Sequence, residues 1–576
     1  MTFVVEDQHR KILDSTGHLL ITGGPGSGKT SVALQKAKSY IDQERLLGAQ
    51  NVLFLSFSRA AVARILEQLS SHTELQGYKR RLSIQTFHSF FWEILKTYGY
   101  LIGTPRRLRV LAPHDEDALR GGRPSEDASW LREREAVAHR HGKVCFDLFA
   151  PLTFKILSSS SKIRLQCTQK YPLIIVDEAQ DTDVNQWKCL ETFKINSQLV
   201  FLADLDQQIH DYRPDVTAER IRDIVQSLNP QQISLGDDNH RSSETEILSF
   251  ARDVLNITPR NGSYRGVSQQ VYHPRADRRD RHIRQSIGML YSDFKKAYGS
   301  FPKSVAVLAT WGRGVKLVSH ALRGNESSEE IPHRVHFDET ATYLSSRIIA
   351  FLLEPTQTRS TPEIAAEMLQ LMIDLSRATN KVADAQKYER WRSDLIAGNE
   401  PTRSKVLPEL QRIAGVVRSN KHTGHPERDW TRTRNILLNS VAGAVADIGR
   451  NAEFLMAFNR GKLISKGLSQ SWQRYGEYRK ARSILESAIV ETQIVSEDKN
   501  QTGINVMTFH KAKGKEFDCV ILFQNPHSSP FVLRNDKEPY KRSRKLLFVG
   551  ITRARYRTVI LKDASQSCPI LGDFAL

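Results

Sequence analysis

Residues 23–30 read Gly-Gly-Pro-Gly-Ser-Gly-Lys-Thr. They fit G-x-x-x-x-G-K-[ST], a pattern that leaves a chain few ways to fold. The flanks agree with it. Residues 18–22, His-Leu-Leu-Ile-Thr, predict a buried strand running into the loop, and the run from Ser31 to about Ile41 predicts a helix leaving it. Glycine lets the backbone curl so that its N–H groups converge on one point. The helix N-terminus adds partial positive charge at that point. Gly23, Gly24, Gly26, Ser27, Gly28, Lys29, Thr30 and Ser31 are therefore candidate phosphate-binding residues. Lys29 can reach the outer phosphates, and the Thr30 hydroxyl can bind Mg²⁺.

Such a loop needs a carboxylate partner. Residues 171–176, Tyr-Pro-Leu-Ile-Ile-Val, form an apolar run that ends in Asp177-Glu178-Ala179-Gln180-Asp181. Adjacent carboxylates at a strand tip can divide their work. Asp177 can hold Mg²⁺, partly through water, while Glu178 orients or deprotonates an attacking water. Alone, an acidic strand end is a solvated turn; beside the phosphate loop, the catalytic reading outweighs it. No Asn-Lys-x-Asp guanine reader occurs, since Asn380-Lys381-Val382-Ala383 departs at its last position. ATP is thus the expected nucleotide.

Composition excludes several classes. In 576 residues, 40% are hydrophobic and 26% charged, which is ordinary globular usage and argues against a disordered chain. No apolar stretch approaches the roughly 18–20 residues needed to span a bilayer, so no membrane partner is expected. Residues 1–7 lack a basic segment followed by an apolar core, so no secretory signal is expected. Cys145, Cys167, Cys189, Cys519 and Cys568 lie too far apart for a local zinc or redox motif. A reducing, cytoplasmic compartment fits. The charge is less ordinary: 83 Lys and Arg against 64 Asp and Glu leave +19. That suits either solubility or a phosphate-rich partner.

Further motifs follow in order. Residues 177–181 and the phosphate loop resemble those of superfamily 1A DNA helicases of the UvrD/Rep/PcrA type, and the resemblance runs from Gln8 to Arg553. Gln8 stands where the family reads adenine. Ser56-Phe57-Ser58-Arg59 resembles the first DNA-contact motif, and Thr86-Phe87-His88-Ser89-Phe90 is similar to a second. The segment 202–213 resembles the third family motif. There the resemblance implies a γ-phosphate sensor in Gln207 and base-stacking rings in His210 and Tyr212. Asn239-His240-Arg241-Ser242 implies Arg241 at the γ-phosphate and His240 at adenine, where tyrosine is usual. The segment 506–517 implies Glu516 at the ribose, with Thr508 and His510 on the DNA side. The segment 547–555 implies an arginine finger at Arg553. Phe57, Thr86 and His88 complete the implied DNA contacts. Ser31 replaces a common arginine and Lys515 a usual leucine; neither change removes a phosphate or Mg²⁺ ligand.

The resemblance implies an α/β fold of two RecA-like P-loop domains with parallel sheets, each carrying a mainly helical insertion. Residues 1–90 and 166–235 would form the first lobe, with 91–165 as its insertion. Residues 236–355 and 490–576 would form the second, with 356–489 as its insertion. The second insertion is basic, with Arg412, Arg418, Lys421, Arg428, Arg432 and Arg434 close in sequence. Trp430 and Trp472 lie nearby, and the core is the expected place for a tryptophan. The implied activity is ATP-dependent 3′→5′ movement on single-stranded DNA and its junctions with duplex, in repair or defence. The alternative is a DNA-responsive regulatory ATPase working with a separate nuclease or effector, as in antiviral Gabija-type systems.

Overall fold

In the computed structural model, the structure describes residues 7–574 except 58, 72–76, 205–218, 237–243, 261, 325–328, 337–339, 380, 400–403, 420, 453–458, 495–501, 534–535, 566 and 573. Short apolar runs such as Val52–Ser56, Leu173–Val176, Gln198–Ala203 and Phe517–Phe523 become strands buried on both faces, as parallel sheets demand. The strands are β1 (Leu19–Thr22), β2 (Val52–Ser56), β3 (Leu82–Thr86), β4 (Arg109–Val110), β5 (Lys143–Val144), β6 (Leu173–Val176) and β7 (Gln198–Ala203). They continue as β8 (Gln231–Ser234), β9 (Val267–Tyr272), β10 (Ser304–Ala309), β11 (His333–His336), β12 (Gly503–Thr508), β13 (Phe517–Phe523) and β14 (Ala554–Asp563).

Two six-stranded sheets result, one ordered β3-β2-β6-β7-β1-β8 and the other β11-β12-β10-β13-β14-β9. Every neighbouring pair in both is parallel. In the first sheet, Leu19 of β1 lies between Val200 of β7 and Gln231 of β8. This parallel α/β architecture is the one the sequence implied. Parallel strands share one carboxyl edge, and the loops leaving that edge are where ligands bind in open α/β sheets.

The chain divides into two compact units. Met1–Phe90, Phe154–Phe337 and Glu497–Leu576 form the first and contain both large sheets. Phe91–Thr153 and Asp338–Ser496 form the second. The second unit is mainly helical, with only the short pair β4-β5 as sheet among its described residues.

The second unit has its own apolar core, centred on helices Thr340–Leu353 and Thr361–Ala378. A reciprocal capping box between Ser360 and Glu363 starts the latter helix. The two sequence segments of this unit meet at helix Pro113–Arg120. There Asp115 pairs with Arg347 at 2.6 Å, and the His114 ring lies 5.4 Å from Tyr343. Burial pushes the His114 imidazole down to about 4.

Two boundaries lie well away from those read from the sequence. The second helical segment begins at 338 rather than 356, and the first ends at 153 rather than 165. Helix Thr340–Leu353 explains the larger shift: it is buried continuously from Thr342 to Leu353 and joins the helical core instead of flanking a sheet. Trp430 is a core residue, 2% exposed. Trp472 packs on the same core, its ring 5.0 Å from Tyr478. Trp430 offers no base-stacking face.

Candidate nucleotide site and its neighbours

β1 delivers the chain into the loop 23–30, and helix Lys29–Asp42 carries it away. Gly28 caps that helix at φ +82°, a left-handed conformation that suits glycine. A Cβ on Gly23 would lie 2.5 Å from Ser27 Oγ, so the loop closes only around glycine there. The helix has neither a side-chain cap nor an acidic residue in its first turn. Its leading N–H groups are therefore suited to an anion. Val32, Ala33, Leu34 and Ala37 anchor the helix in the core.

Lys29 reaches back over the loop. Its ammonium donates to the Gly23 carbonyl at 2.6 Å and the Gly24 carbonyl at 2.8 Å, and lies 3.5 Å from Asp204 at the end of β7. Gln8 is exposed on helix Asp7–Asp14. That helix is tied to the loop's helix by Lys36, which donates to the Leu13 and Ser15 carbonyls at 2.7 and 2.5 Å.

β6 carries the carboxylates. The Asp177 amide donates to the Leu55 carbonyl at 2.9 Å, which fixes the strand tip beside β2. Asp177 is buried, and burial, reinforced by Glu178, pushes it up to about 6. Glu178 has φ +54°, unusual for a side chain of its kind. Backbone strain of this sort costs on the order of 1–3 kcal/mol and clusters at functional sites. Burial works against its charge too, but Lys513, Lys29 and the Gln180 amide outweigh that and hold it below the usual range. Gln180 donates to Glu178 at 2.6 Å and accepts from the Asp204 amide at 3.1 Å. Gln180 thereby links two strand ends.

The second sheet supplies the opposing groups. Lys513 forms an ion pair with Asp181, both almost fully buried. Burial nevertheless raises Asp181 to about 7, with Lys513 opposing and Glu178 adding to the rise. Glu516 accepts from Arg64 at 2.5 Å through one oxygen and from Arg555 at 3.2 Å through the other. Arg553 is 2% exposed. Its guanidinium donates to the Val549 carbonyl at 2.9 Å, the Lys515 carbonyl at 3.3 Å and the Thr552 hydroxyl at 3.1 Å. These bonds tie it to its own lobe, and its charge helps keep Glu178 ionised.

The residues expected to face DNA stand at strand ends. Phe57, half-buried after β2, has its ring 4.9 Å from Phe87. Thr86 ends β3, and its hydroxyl accepts from the Ser89 amide at 3.1 Å, starting helix Phe87–Tyr98. His88 is half-buried on that helix. Thr508 ends β12 and precedes helix Phe509–Ala512, on which His510 is exposed. Gln207, His210, Tyr212, His240 and Arg241 lie outside the described residues.

Sequence reading missed Arg64 and the pairings of Asp181, Lys513 and Asp204. Lys513 and Asp181 lay inside quoted motifs without a role. Arg64 lies in helix Arg59–Ser71 beyond the quoted motif and carries no local signal.

The phosphate loop, the carboxylates of β6 and the paired parallel sheets define a P-loop ATPase with two lobes. Residues 10–213 match the AAA domain family, and residues 464–564 match the UvrD-like helicase C-terminal domain family. The chain is 22% identical to DNA helicase II of Haemophilus influenzae, over 96% of this chain and 83% of that protein. It is also 22% identical to ATP-dependent DNA helicase Rep of Salmonella typhimurium, over 94% and 88%. A shorter match, 31% over 109 residues, is to an ATP-dependent helicase/nuclease protein of Lactococcus lactis, over 18% of this chain and 9% of that one. The two family matches and these relatives support a UvrD-like superfamily 1 helicase, an ATP-hydrolysing and DNA-acting class. No described helix is long and apolar enough to cross a membrane.

Proposed function

We propose that this chain is an ATP-driven motor that moves 3′→5′ along single-stranded DNA and separates strands at the junction with duplex. The observation that carries the reading is the split site: loop and carboxylates come from the first sheet, while Lys513 and Arg553 of the second face the charges of Asp181 and Glu178. Hydrolysis that changes the charge between the lobes alters what holds them together.

The donor set fits Mg·ATP. An uncapped helix start, a lysine across the loop and a buried aspartate suit triphosphate and a hard cation. Thr30 and Asp177 would hold Mg²⁺, which when bound offsets phosphate charge. Lys29 would exchange its loop carbonyls for phosphate oxygens. Glu178, kept ionised and aimed by Gln180, would orient the attacking water and take its proton. Arg553 and Arg241 would balance charge developing on the γ-phosphate. Gln207 would sense that phosphate, Gln8 and His240 would meet the base, and Glu516 the ribose. Phe57, Thr86, His88, His210, Tyr212, Thr508 and His510 would line the DNA track.

DNA-stimulated ATP hydrolysis by the wild type tests the motor; no stimulation sinks it. Unwinding of 3′-tailed but not 5′-tailed duplex tests polarity. Work in repair or defence with a separate nuclease or effector is the second reading, favoured by the match to a helicase/nuclease protein. Efficient strand displacement by the purified chain alone counts against dependence on such a partner.

A further inference from the structure

Arg64 sits in the second turn of helix Arg59–Ser71, which follows β2. β2 is the sheet neighbour of β6, so this helix starts beside the Asp177 tip. The Arg64 side chain is only 21% exposed, and that of its partner Glu516 only 13%. An arginine so enclosed belongs with a fixed partner. It has one across the lobes, 452 positions away in sequence. Asp177 and Glu178 lie close enough for their charges to act on Arg64 as well.

Glu516 is held from two sides. Arg555, on its own sheet, takes one oxygen, and Arg64, from the other lobe, takes the second. Three residues earlier, Lys513 pairs with Asp181. The segment 513–516 is thus fastened to the first lobe by two ion pairs of opposite polarity. A single pair fixes a distance but leaves rotation about it. Two reversed pairs fix orientation too, and they disfavour registers that would bring like charges together.

We propose that Arg64 is a positioning residue for ATP hydrolysis: by gripping Glu516 beside the Asp177 and Glu178 carboxylates, it sets the register of segment 513–516 against the first lobe. Arg64 acts through Glu516. The proposal rests on the two-lobed ATPase reading and adds to it a residue that no motif singles out. Lysine is a poor substitute at such a site, because it brings a point charge in place of a planar fork.

The test is a double-mutant cycle on the full chain, with Arg64→Gln, Glu516→Gln and both together. The readout is kcat for ATP at saturating single-stranded DNA. Arg64→Gln lowers kcat roughly tenfold, and the double variant is no worse than the weaker single, as coupled neighbours behave. Arg64→Lys recovers part of the loss, with melting temperature confirming that each variant folds. Losses that multiply in the double variant overturn the proposal.

A second measurement needs no hydrolysis. Spin labels on Leu47→Cys and Val271→Cys, both exposed and one in each lobe, report the distance between the sheets. Arg64→Gln broadens the distance distribution; an unchanged distribution overturns the proposal. If the wild type shows no DNA-stimulated hydrolysis, the motor reading falls while the distance measurement still decides the role of Arg64.

Discussion

The two large sheets are built alike and charged unlike. Each has six parallel strands, and each turns a Thr-Phe-His sequence from a strand end directly into a helix, at β3 and at β12. At the nucleotide site they diverge. The first sheet gathers Asp177, Glu178, Asp181 and Asp204 around Lys29. The second answers with Lys513 and Arg553 toward those carboxylates, and with Arg555 on Glu516. The difference shows how so many carboxylates can be buried together. Burial and mutual repulsion raise Asp177 and Asp181; Arg64 and Lys29 of the first lobe oppose the rise at Asp177, and Lys513 of the second opposes it at Asp181. Neither half is electrostatically complete alone.

Removing Glu178, the general base proposed in the first sheet, is the sharpest way to break this division. Glu178→Gln should cut DNA-stimulated hydrolysis by roughly 10³-fold or more, with nucleotide binding retained. Steady-state rates beside binding of a fluorescent ATP analogue check this, and equal rates in both proteins would remove Glu178 from the chemistry. Lys29→Ala comes next. It should cost on the order of 10²–10³-fold in kcat/KM, because a preorganised donor is lost while both sheets stay intact.

Breaking the second sheet's contribution should appear first in stability. Lys513→Met leaves Asp181 buried without its cation, a loss of about 3–5 kcal/mol when the acid is ionised. Asp181 can take up a proton instead, so the defect should shrink below about pH 7. Urea unfolding at pH 6 and pH 8.5 measures it; an equal defect at both values would show that charge is not the cause.

The gentlest test uses pH on the unaltered protein. Asp177 and Asp181 have folded values near 6 and 7, above the ordinary 3.8. Their contribution to stability is therefore fully present below about pH 4 and lost as pH rises through 6 and 7. Catalysis runs the other way, since Asp177 must be ionised to hold Mg²⁺. Between pH 8 and 5.5, the Mg²⁺ concentration for half-maximal hydrolysis should climb several-fold while these two groups add stability. A flat Mg²⁺ requirement across that range would contradict the role given to Asp177.

Much of this site could be read from residue order. Gly28, Lys29 and Thr30 announce themselves because phosphate binding needs consecutive backbone positions, and Asp177 and Glu178 because an apolar strand leads into them. The cross-lobe pairs could not be read. Asp181 and Lys513 are 332 positions apart, and nothing local in either segment specifies the other. The boundary at 338 was obscured for a different reason. Helix Thr340–Leu353 is buried on every face yet carries Ser345, Ser346 and Arg347, and its sequence suits the flank of a sheet as well as a helical core.

The order of strands in the second sheet has a consequence for the growing chain. β9, β10 and β11 are synthesised before most of the helical unit, yet none of the three touches another. β11 and β10 meet only through β12, and β10 and β9 only through β13 and β14. β10 and β11 must wait about 170–190 residues for β12, and β9 about 280 for β14, or some tens of seconds at roughly 5–20 residues per second. The first sheet differs, since β2 and β3 can pair as soon as they emerge. A ribosome stalled near residue 500 would therefore carry one lobe close to finished and three unpaired strands of the other. That nascent species is the one most in need of a chaperone.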